Sequence, residues 1–380
     1  MKVINTERLP IKMWLDDIEE TAMHQAQNLA NLPFIYKWIA LMPDSHSGYG
    51  MPIGGVMATK GVIVPNAVGV DIGCGMVAVQ TSLEDITTDQ IKQIMGEARK
   101  AIPVGFDHQI ENQEWDGFQD APAIPVIQQE LNSARKQIGT LGGGNHFIEI
   151  QKGDDGHVWL MIHSGSRNFG LKCANTYHKK AQWLCERWYS ELPDTDLAFL
   201  PIESEEGHEY YEAMNYCLKF ALANRTLMMD RLIGIVNTIT SGIEIERINI
   251  HHNYAAFEHH YGTDVLVHRK GATKATAGLK GIIPGSMGTS SYIVEGLGNP
   301  ESFMSCSHGA GRAMGRKEAK RTLNLEEEQN KMSGIVHGLR TSNELDEAPG
   351  AYKDIDVVME NQKDLVKILV KLTPLGVIKG

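Results

Sequence analysis

The sequence lacks the long apolar runs that a membrane protein needs. No stretch approaches the ~20 apolar residues of a membrane-spanning helix. Residues 1–14 also lack the apolar core of a secretory signal. The cysteines are few and odd in number, which is not typical of a disulfide framework: Cys74, Cys173, Cys185, Cys217 and Cys306. We therefore expect a cytoplasmic protein from a reducing compartment, with no membrane partner.

Positive charge is scarce over the whole chain. It has 36 Lys and Arg residues against 47 Asp and Glu residues, so its formal net charge is −11. This balance disfavours a protein that binds polyanions with its entire surface. Residues 265–321 differ, because they hold nine basic residues and three glutamates. The segment predicts a phosphate-rich ligand on one face, although a solvated basic helix at 312–321 is the alternative.

Hydrophobic residues make up 42% of the chain, enough to bury a sizeable core. Three- and four-residue apolar spacing predicts helices, most clearly at 206–240 and also at 13–31, 82–100, 312–333 and 353–372. Strands are predicted at 33–42, 61–70 and 157–163 and through most of 244–300. Because these elements interleave without a regular βαβ period, we predict one large α+β domain over residues 1–380. We expect its mixed sheets to surround a cleft and its helices to flank them.

Glycine and histidine are abundant, with 38 and 15 residues, and several histidines lie beside glycines. Asp71 and Cys74 flank a glycine in the string DIGCG, and three histidines lie at predicted strand ends: His146, His163 and His252. Thiolate, imidazole and carboxylate together suit Zn²⁺, Mn²⁺ or Fe²⁺. One bridging thiolate would allow two ions, an arrangement suited to phosphoryl transfer. A buried cysteine beside a turn-forming aspartate remains the alternative interpretation.

Three further glycine-rich strings predict phosphate chemistry. Gly142–Gly144 precede Asn145 and can present backbone N–H groups to an anion. Residues 283–291 form a glycine and hydroxyl loop, which is either a phosphate cradle or an ordinary turn. His308 precedes Gly309, Ala310 and Gly311, and such small neighbours leave an imidazole open for attack on phosphorus. No GxSxG string supports a serine hydrolase instead.

Ten strings, in order along the chain, closely resemble the RtcB RNA-splicing ligases, which use GTP and Mn²⁺. They are MPDSHSGYGMPIGG (42–55), VGVDIGCGM (68–76), LGGGNHFIEI (141–150), IHSGSR (162–167), HHNY (251–254), HRKGAT (268–273), IPGSMGTSSYIV (283–294), SHGAGR (307–312), AYKDID (351–356) and PLGVIKG (374–380). The resemblance spans almost the whole chain. It implies an RtcB-type fold around a dinuclear metal cleft.

The resemblance also implies roles for individual residues. It implies one Mn²⁺ held by Asp71, Cys74 and His146, and a second held by Cys74, His163 and His252. His308 would be the nucleophile that takes GMP. The implied guanylate contacts are Asn145, His146, Phe147, Ile148, Glu149, His252, Asn253, Pro284, Gly285, Ser286, Met287, Ser291, His308, Gly309, Ala310, Gly311, Tyr352 and Lys379. Arg167 and Lys270 are the implied contacts to RNA phosphates.

The implied reaction joins RNA 3′-phosphate or 2′,3′-cyclic phosphate ends to 5′-hydroxyl ends through a His–GMP adduct. The implied partners are RNA, GTP and an archease-type activator, and we expect a monomer. Two alternatives remain open at this point. One is a dinuclear metallophosphoesterase, which would not need His308 or Lys379. The other is a non-catalytic RNA-binding relative. The sequence leaves the physiological RNA open between tRNA splicing and RNA repair.

Overall fold

The computed structural model describes residues 1–380 as a mixture of helices and sheets. None of its helices combines the length and the apolar character needed to cross a bilayer. The helices are α1 (Glu20–Ala30), α2 (Pro65–Val68), α3 (Thr88–Ala101), α4 (Pro125–Gln137), α5 (Arg167–Arg187), α6 (Glu205–Thr240), α7 (Arg316–Thr322), α8 (Leu325–Lys331) and α9 (Ile355–Glu360).

Seventeen strands form two large and two small sheets. They are β1 (Lys2–Ile4), β2 (Ile11–Met13), β3 (Ile35–His46), β4 (Ile53–Thr59), β5 (Val62–Ile63), β6 (Gly75–Thr81), β7 (Phe147–Gly153), β8 (Val158–Ser164), β9 (Leu200–Pro201), β10 (Glu244–His251), β11 (Asn253–His260), β12 (Thr263–Lys270), β13 (Ala272–Lys274), β14 (Lys280–Ile283), β15 (Ser291–Gly296), β16 (Ser305–Ser307) and β17 (Val366–Lys379). The large sheets have the orders β1-β2-β3-β4-β12-β11 and β10-β6-β8-β7-β17-β15-β14. The predicted α+β class is confirmed.

Local sequence accounts for the helices that were predicted most closely. At α3, the Thr87 side chain accepts from the Gln90 backbone, and the Gln90 side chain accepts from the Thr87 backbone. This capping box starts the helix six residues after the predicted position. Helix α6 covers the whole predicted interval and begins one residue before it, and its serine N-cap accepts from the Gly207 backbone. Its apolar face packs in two of the hydrophobic cores.

Four predicted elements differ from the structure. The helix predicted at 13–31 begins only at Glu20, and the strand predicted at 61–70 gives way to α2 at Pro65. The helix predicted at 312–333 is divided into α7 and α8. The helix predicted at 353–372 was wrong beyond residue 360, because β17 begins at Val366. Short apolar runs do not distinguish helix from strand, and pairing with β7 and β15 decides this one.

Strand register brings the candidate site together at one edge of the seven-stranded sheet. Phe147 of β7 pairs with His163 of β8, and Gly75 of β6 pairs with both Ser164 and His251. Antiparallel neighbours therefore place the start of β7, the end of β8 and the end of β10 side by side. Lys379 of β17 pairs with Phe147, so residues far apart in sequence meet at this edge.

Candidate active site

Five predicted metal ligands form one compact cluster. The ligand atoms of Cys74, His163 and His252 lie within 4.8 Å of one another, and so do those of Asp71, Cys74 and His146. Cys74 Sγ is 3.2 Å from His163 Nε2 and 3.5 Å from His146 Nε2. This sulfur is the one ligand atom that belongs to both groups.

Hydrogen bonds to the far side of each ring orient two of the histidines. His146 Nδ1 lies 2.9 Å from the Leu141 carbonyl oxygen, and His163 Nδ1 lies 3.1 Å from the Asn145 carbonyl oxygen. A carbonyl accepts only from a protonated Nδ1, so in a neutral ring held this way the lone pair is on Nε2, the nitrogen that both rings turn toward the cluster. Metal-binding histidines are commonly held in this way.

Burial favours the neutral form of two histidines of the cluster, His163 and His252. It lowers the pKa of His163 and of His252 well below the ordinary histidine value, and neighbouring histidines lower both further. His163 Nε2 and His252 Nε2 lie only 3.3 Å apart, inside the cluster. The His252 Nδ1 atom is buried without a hydrogen-bond partner. Neutral imidazoles with convergent lone pairs fit divalent metal ions.

Arg225 of α6 lies directly behind the cluster and is fully buried. Its guanidinium donates to the Gly73 carbonyl at 2.9 Å and to the Ser164 carbonyl at 3.0 Å. It also donates to Asn249 Oδ1 at 2.8 Å. It makes no ion pair with a carboxylate. This one side chain therefore fixes the two turns that carry Cys74 and His163.

His308 lies beside the cluster, and its ring centroid is 4.8 Å from that of His252. Its Nδ1 lies 2.6 Å from Asp44 Oδ2, which also accepts from the backbone N–H groups of His308 and Gly309. Burial alone would raise the pKa of Asp44, but the adjacent His308 ring holds this pKa below its ordinary value. Asp44 thus remains a carboxylate and directs the free His308 Nε2 toward the cavity.

A cavity of about 440 Å³ opens next to His308. Thirteen of the predicted guanylate contacts line it: Asn145, Phe147, Glu149, Pro284, Gly285, Ser286, Met287, His308, Gly309, Ala310, Gly311, Tyr352 and Lys379. Gly311 has a φ of 74°, and a Cβ at this position would collide with the backbone carbonyl of Asp44. Glycine therefore allows the loop after His308 to approach β3 closely.

Opposite charges meet at the far end of this cavity. Burial raises the pKa of Glu149 to about 8, although Lys379 and Gln151 oppose the rise. Lys379 Nζ lies 5.2 Å from the centroid of the Phe147 ring and 3.3 Å from Glu347 Oε2. Glu347 also pairs with Arg312, Arg316 and Tyr352. This carboxylate therefore holds the cationic groups of the cavity wall in place.

The remaining predicted contacts lie outside the smaller cavity. Ile148 faces the opposite side of β7, in an apolar core, and Ser291 Oγ accepts from Gly285 N–H at 3.1 Å behind the cavity wall. His146 lies in the metal cluster. Asn253 donates to the Asp71 carbonyl and accepts from Gly271 N–H, so it ties two loops together. With His252, it lines a neighbouring cavity of about 840 Å³.

The two predicted RNA contacts are both close to the site. Lys270 lines the larger cavity together with Asp71, Cys74 and His308. Burial lowers its pKa to about 7, against the effect of Asp196. Arg167 lies at the start of α5 and donates to Thr140 Oγ1 and to the Gly105 carbonyl, each at 2.9 Å.

Three residues of the site were not identified from the sequence: Asp44, Arg225 and Glu347. Asp44 lies within a string that carries the family resemblance, but no local spacing connects it to His308, 264 positions later. Arg225 lies in a helix whose periodicity predicts only core packing. Glu347 lies in a polar stretch without a motif. In each case the functional signal is a contact between distant parts of the chain.

Comparison with known proteins agrees with this geometry. A sequence profile described as "tRNA-splicing ligase RtcB" matches residues 25–124 and 110–380. The chain is 39% identical over 409 residues to the "RNA-splicing ligase RtcB" of Escherichia coli strain K12, covering 100% of this chain and 99% of that protein. It is 31% identical to the "tRNA-splicing ligase RtcB" of Thermococcus kodakarensis, with 98% and 95% covered. For the "RNA-splicing ligase RtcB" of Mycobacterium bovis, the identity is 32%, with 94% and 100% covered. The chain therefore belongs to the RtcB family of tRNA-splicing ligases.

Proposed function

We propose that this RNA ligase joins RNA 3′-phosphate or 2′,3′-cyclic phosphate ends to 5′-hydroxyl ends, using GTP and two Mn²⁺ ions. We assign the activity to residues 1–380 acting as one domain. One observation carries the proposal. His308 lies between a metal-binding cluster and a nucleotide-sized cavity, with Nδ1 on Asp44 and Nε2 free. A dinuclear metallophosphoesterase that activates water would not need this histidine beside such a cavity.

The chemistry follows from the free Nε2 of His308. Nε2 attacks the α-phosphorus of GTP, a P–N bond forms, and pyrophosphate leaves. Water opens a 2′,3′-cyclic phosphate to a 3′-phosphate, whose oxygen then takes GMP from His308. The 5′-hydroxyl of the second strand attacks the phosphorus of this activated end, and GMP leaves. Asp44 accepts a hydrogen bond from Nδ1–H of His308 and stabilises the positive charge that develops on the imidazole.

The metal ligands in this proposal are Asp71, Cys74 and His146 for one ion and Cys74, His163 and His252 for the other. Bound divalent ions supply charge stabilisation on phosphate oxygens and fix an in-line geometry. Mixed thiolate, imidazole and carboxylate donors fit a first-row metal such as Mn²⁺. Arg225 holds the turns that carry Cys74 and His163 at the required separation.

At the far end of the cavity, Lys379 and Glu149 recognise the guanine edge, and Phe147 and Tyr352 enclose the base. Arg167 and Lys270 contact RNA phosphates. We place the enzyme in the cytoplasm, which five free cysteines support, and expect a monomer that an archease-type activator assists. The substrates are broken tRNA or other RNA whose ends carry these groups.

Changing Asp44 to Asn is expected to slow GMP transfer to His308 by about 10²–10⁴-fold. The asparagine amide can donate to Nδ1, which shifts the ring proton to Nε2 and blocks the nucleophile. Rapid-quench measurement of adduct formation across pH tests this. If Asp44 had only a structural role, the variant would have a lower midpoint of thermal unfolding, but the pH dependence of adduct formation would be unchanged. Asp264→Asn, at an exposed position, is the matched control.

Binding of GMP is expected to tighten as pH rises from 6.5 to 8.5. Guanine offers N–H donors to Glu149, and only the ionised carboxylate accepts from two of them. Because burial raises this pKa to about 8, the ionised fraction increases by about 25-fold across the interval. Calorimetric titration with GMP measures the change. Glu149→Gln should give weaker binding without this pH dependence, and a flat profile for the unaltered protein would contradict the assignment.

The experiment for the proposal as a whole uses GTP labelled at the α-phosphate. We expect covalent label on the protein in the presence of Mn²⁺, lost in acid and retained in base, as a phosphoramidate requires. Chasing the adduct with RNA that ends in a 3′-phosphate should transfer the label to RNA. Hydrolysis of phosphoesters without any labelled protein would instead favour a dinuclear metallophosphoesterase.

A further inference from the structure

Helix α5 combines a position beside the active site with an unusual exposed face. Its first residue, Arg167, contacts Thr140 and Gly105 at the edge of the metal cluster. Its 21 residues extend about 31 Å from this point. Halfway along, the ring of His178 lies 3.2 Å from Asn66, a residue that lines the larger cavity. The flank of α5 therefore adjoins the cavity rim.

The exposed face of α5 is basic, in contrast to the acidic chain. The helix carries five Lys or Arg residues and one acid, Glu186. Lys172 and Lys179, seven positions apart, share the exposed face with Asn175 and Trp183. Lys180 is neutralised by Glu209, whereas Lys172 and Lys179 make no ion pair. Two unpaired cations therefore lie about two helical turns apart.

Aromatic rings are exposed at both ends of this basic face. Trp183 is 52% exposed, and the guanidinium of Arg187 lies 4.6 Å from the centroid of its ring. At the other end, the Phe106 side chain is fully exposed next to Gly105, which Arg167 contacts. Cations between exposed aromatic rings are typical of surfaces that bind single-stranded nucleic acid. On such surfaces the lysines contact phosphates and the bases stack on the rings.

We propose that the exposed face of α5, defined by Lys172, Asn175, Lys179 and Trp183, binds the single-stranded RNA that leads to the ligation site. The proposal rests on the RNA-joining function above. The lysines contact phosphates, and Trp183, with Arg187 stacked on it, is a platform for a base. A membrane surface fits less well, because the rings lie at the two ends of the face and do not form a continuous apolar stripe.

The test measures RNA binding without catalysis. The protein, free of GTP, is titrated into a fluorescent 12-nucleotide RNA with 5′-hydroxyl and 3′-phosphate ends, and anisotropy is followed at several salt concentrations. For Lys172→Glu combined with Lys179→Glu, we expect at least about tenfold weaker binding and a salt slope shallower by about 1.4, since each phosphate contact to a single strand contributes about 0.7. Trp183→Ala should weaken binding by about 5- to 150-fold with an unchanged slope.

The matched control is Lys92→Glu combined with Lys100→Glu, which makes the same charge change on the exposed face of α3. Equal weakening in the control, or unchanged binding in both α5 variants, would overturn the proposal. The proposal would also be overturned if the α5 variants lost binding to anionic vesicles but retained RNA binding. Thermal unfolding of each variant verifies folding. Failure of the unaltered protein to form a GMP adduct would refute the ligase mechanism. It would not change the outcome of the RNA-binding test, so the two failures are distinguishable.

Discussion

His308→Ala is expected to abolish covalent labelling of the protein by GTP. Asp44 is hydrogen-bonded to this ring, and His163 and His252 converge on Cys74, so these neighbours do not replace it. Loss of a nucleophile of this kind costs several orders of magnitude, up to about 10⁶ in catalytic rate. Label retained on protein after acrylamide electrophoresis, quantified against the unaltered chain, measures the effect.

The same variant separates nucleophilic chemistry from binding. GMP should still bind to His308→Ala, since the far end of the cavity is unchanged, and metal binding should be retained. His259→Ala, on an exposed ring paired with Asp264, is the matched control and should label normally. Labelling of His308→Ala at the normal rate would assign the nucleophile to another residue and remove the main support for the mechanism.

Cys74→Ala is expected to disable both metal positions at once. Its sulfur is the one ligand atom shared by the two groups, and it is almost completely buried. Loss of residues that merely support metal ligands costs 10–100-fold in affinity, so we expect more than about 100-fold weaker Mn²⁺ binding here. Isothermal titration gives the stoichiometry, and Co²⁺ substitution gives the charge-transfer absorption of a thiolate ligand. Both signals should disappear together.

Two further variants make the Cys74 result interpretable. Asp71→Asn alters only the group that contains His146, so one ion should still bind with its thiolate absorption intact. Cys173→Ala removes a buried thiol that belongs to neither ligand group, and it measures the effect of losing a buried sulfur alone. If Cys74→Ala bound one equivalent of metal with unchanged affinity, the bridging arrangement would be wrong.

Much of the fold and of the candidate ligand set could be predicted, because both depend on patterns of neighbouring residues in the sequence. The apolar spacing of α6 and the continuous apolar run of β8 predicted elements close to those observed. The candidate ligands were identified because Asp71, Cys74 and three histidines lie at the ends of predicted strands. What failed was β17, whose run of apolar residues is compatible with either helix or strand until its neighbours are known.

The residues that sequence analysis missed share one property: their function is a contact across the chain. Asp44 acts only through His308, and Glu347 only through Lys379 and the two arginines near it. A carboxylate has no periodicity that distinguishes such a role from an ordinary polar surface position. Buried charge was the available clue in the structure, since Asp44 is completely inaccessible to solvent.

The position of β17 in the middle of its sheet has a consequence for synthesis. Strands β6, β7, β8 and β10 can pair as soon as residue 251 has left the ribosome, but β15 and β14 join them only through β17. Until residues 366–379 emerge, β7 presents an open edge on which nascent chains can associate. A prematurely terminated chain would lack both the closing strand and Lys379, and quality-control proteases would encounter an incompletely paired sheet.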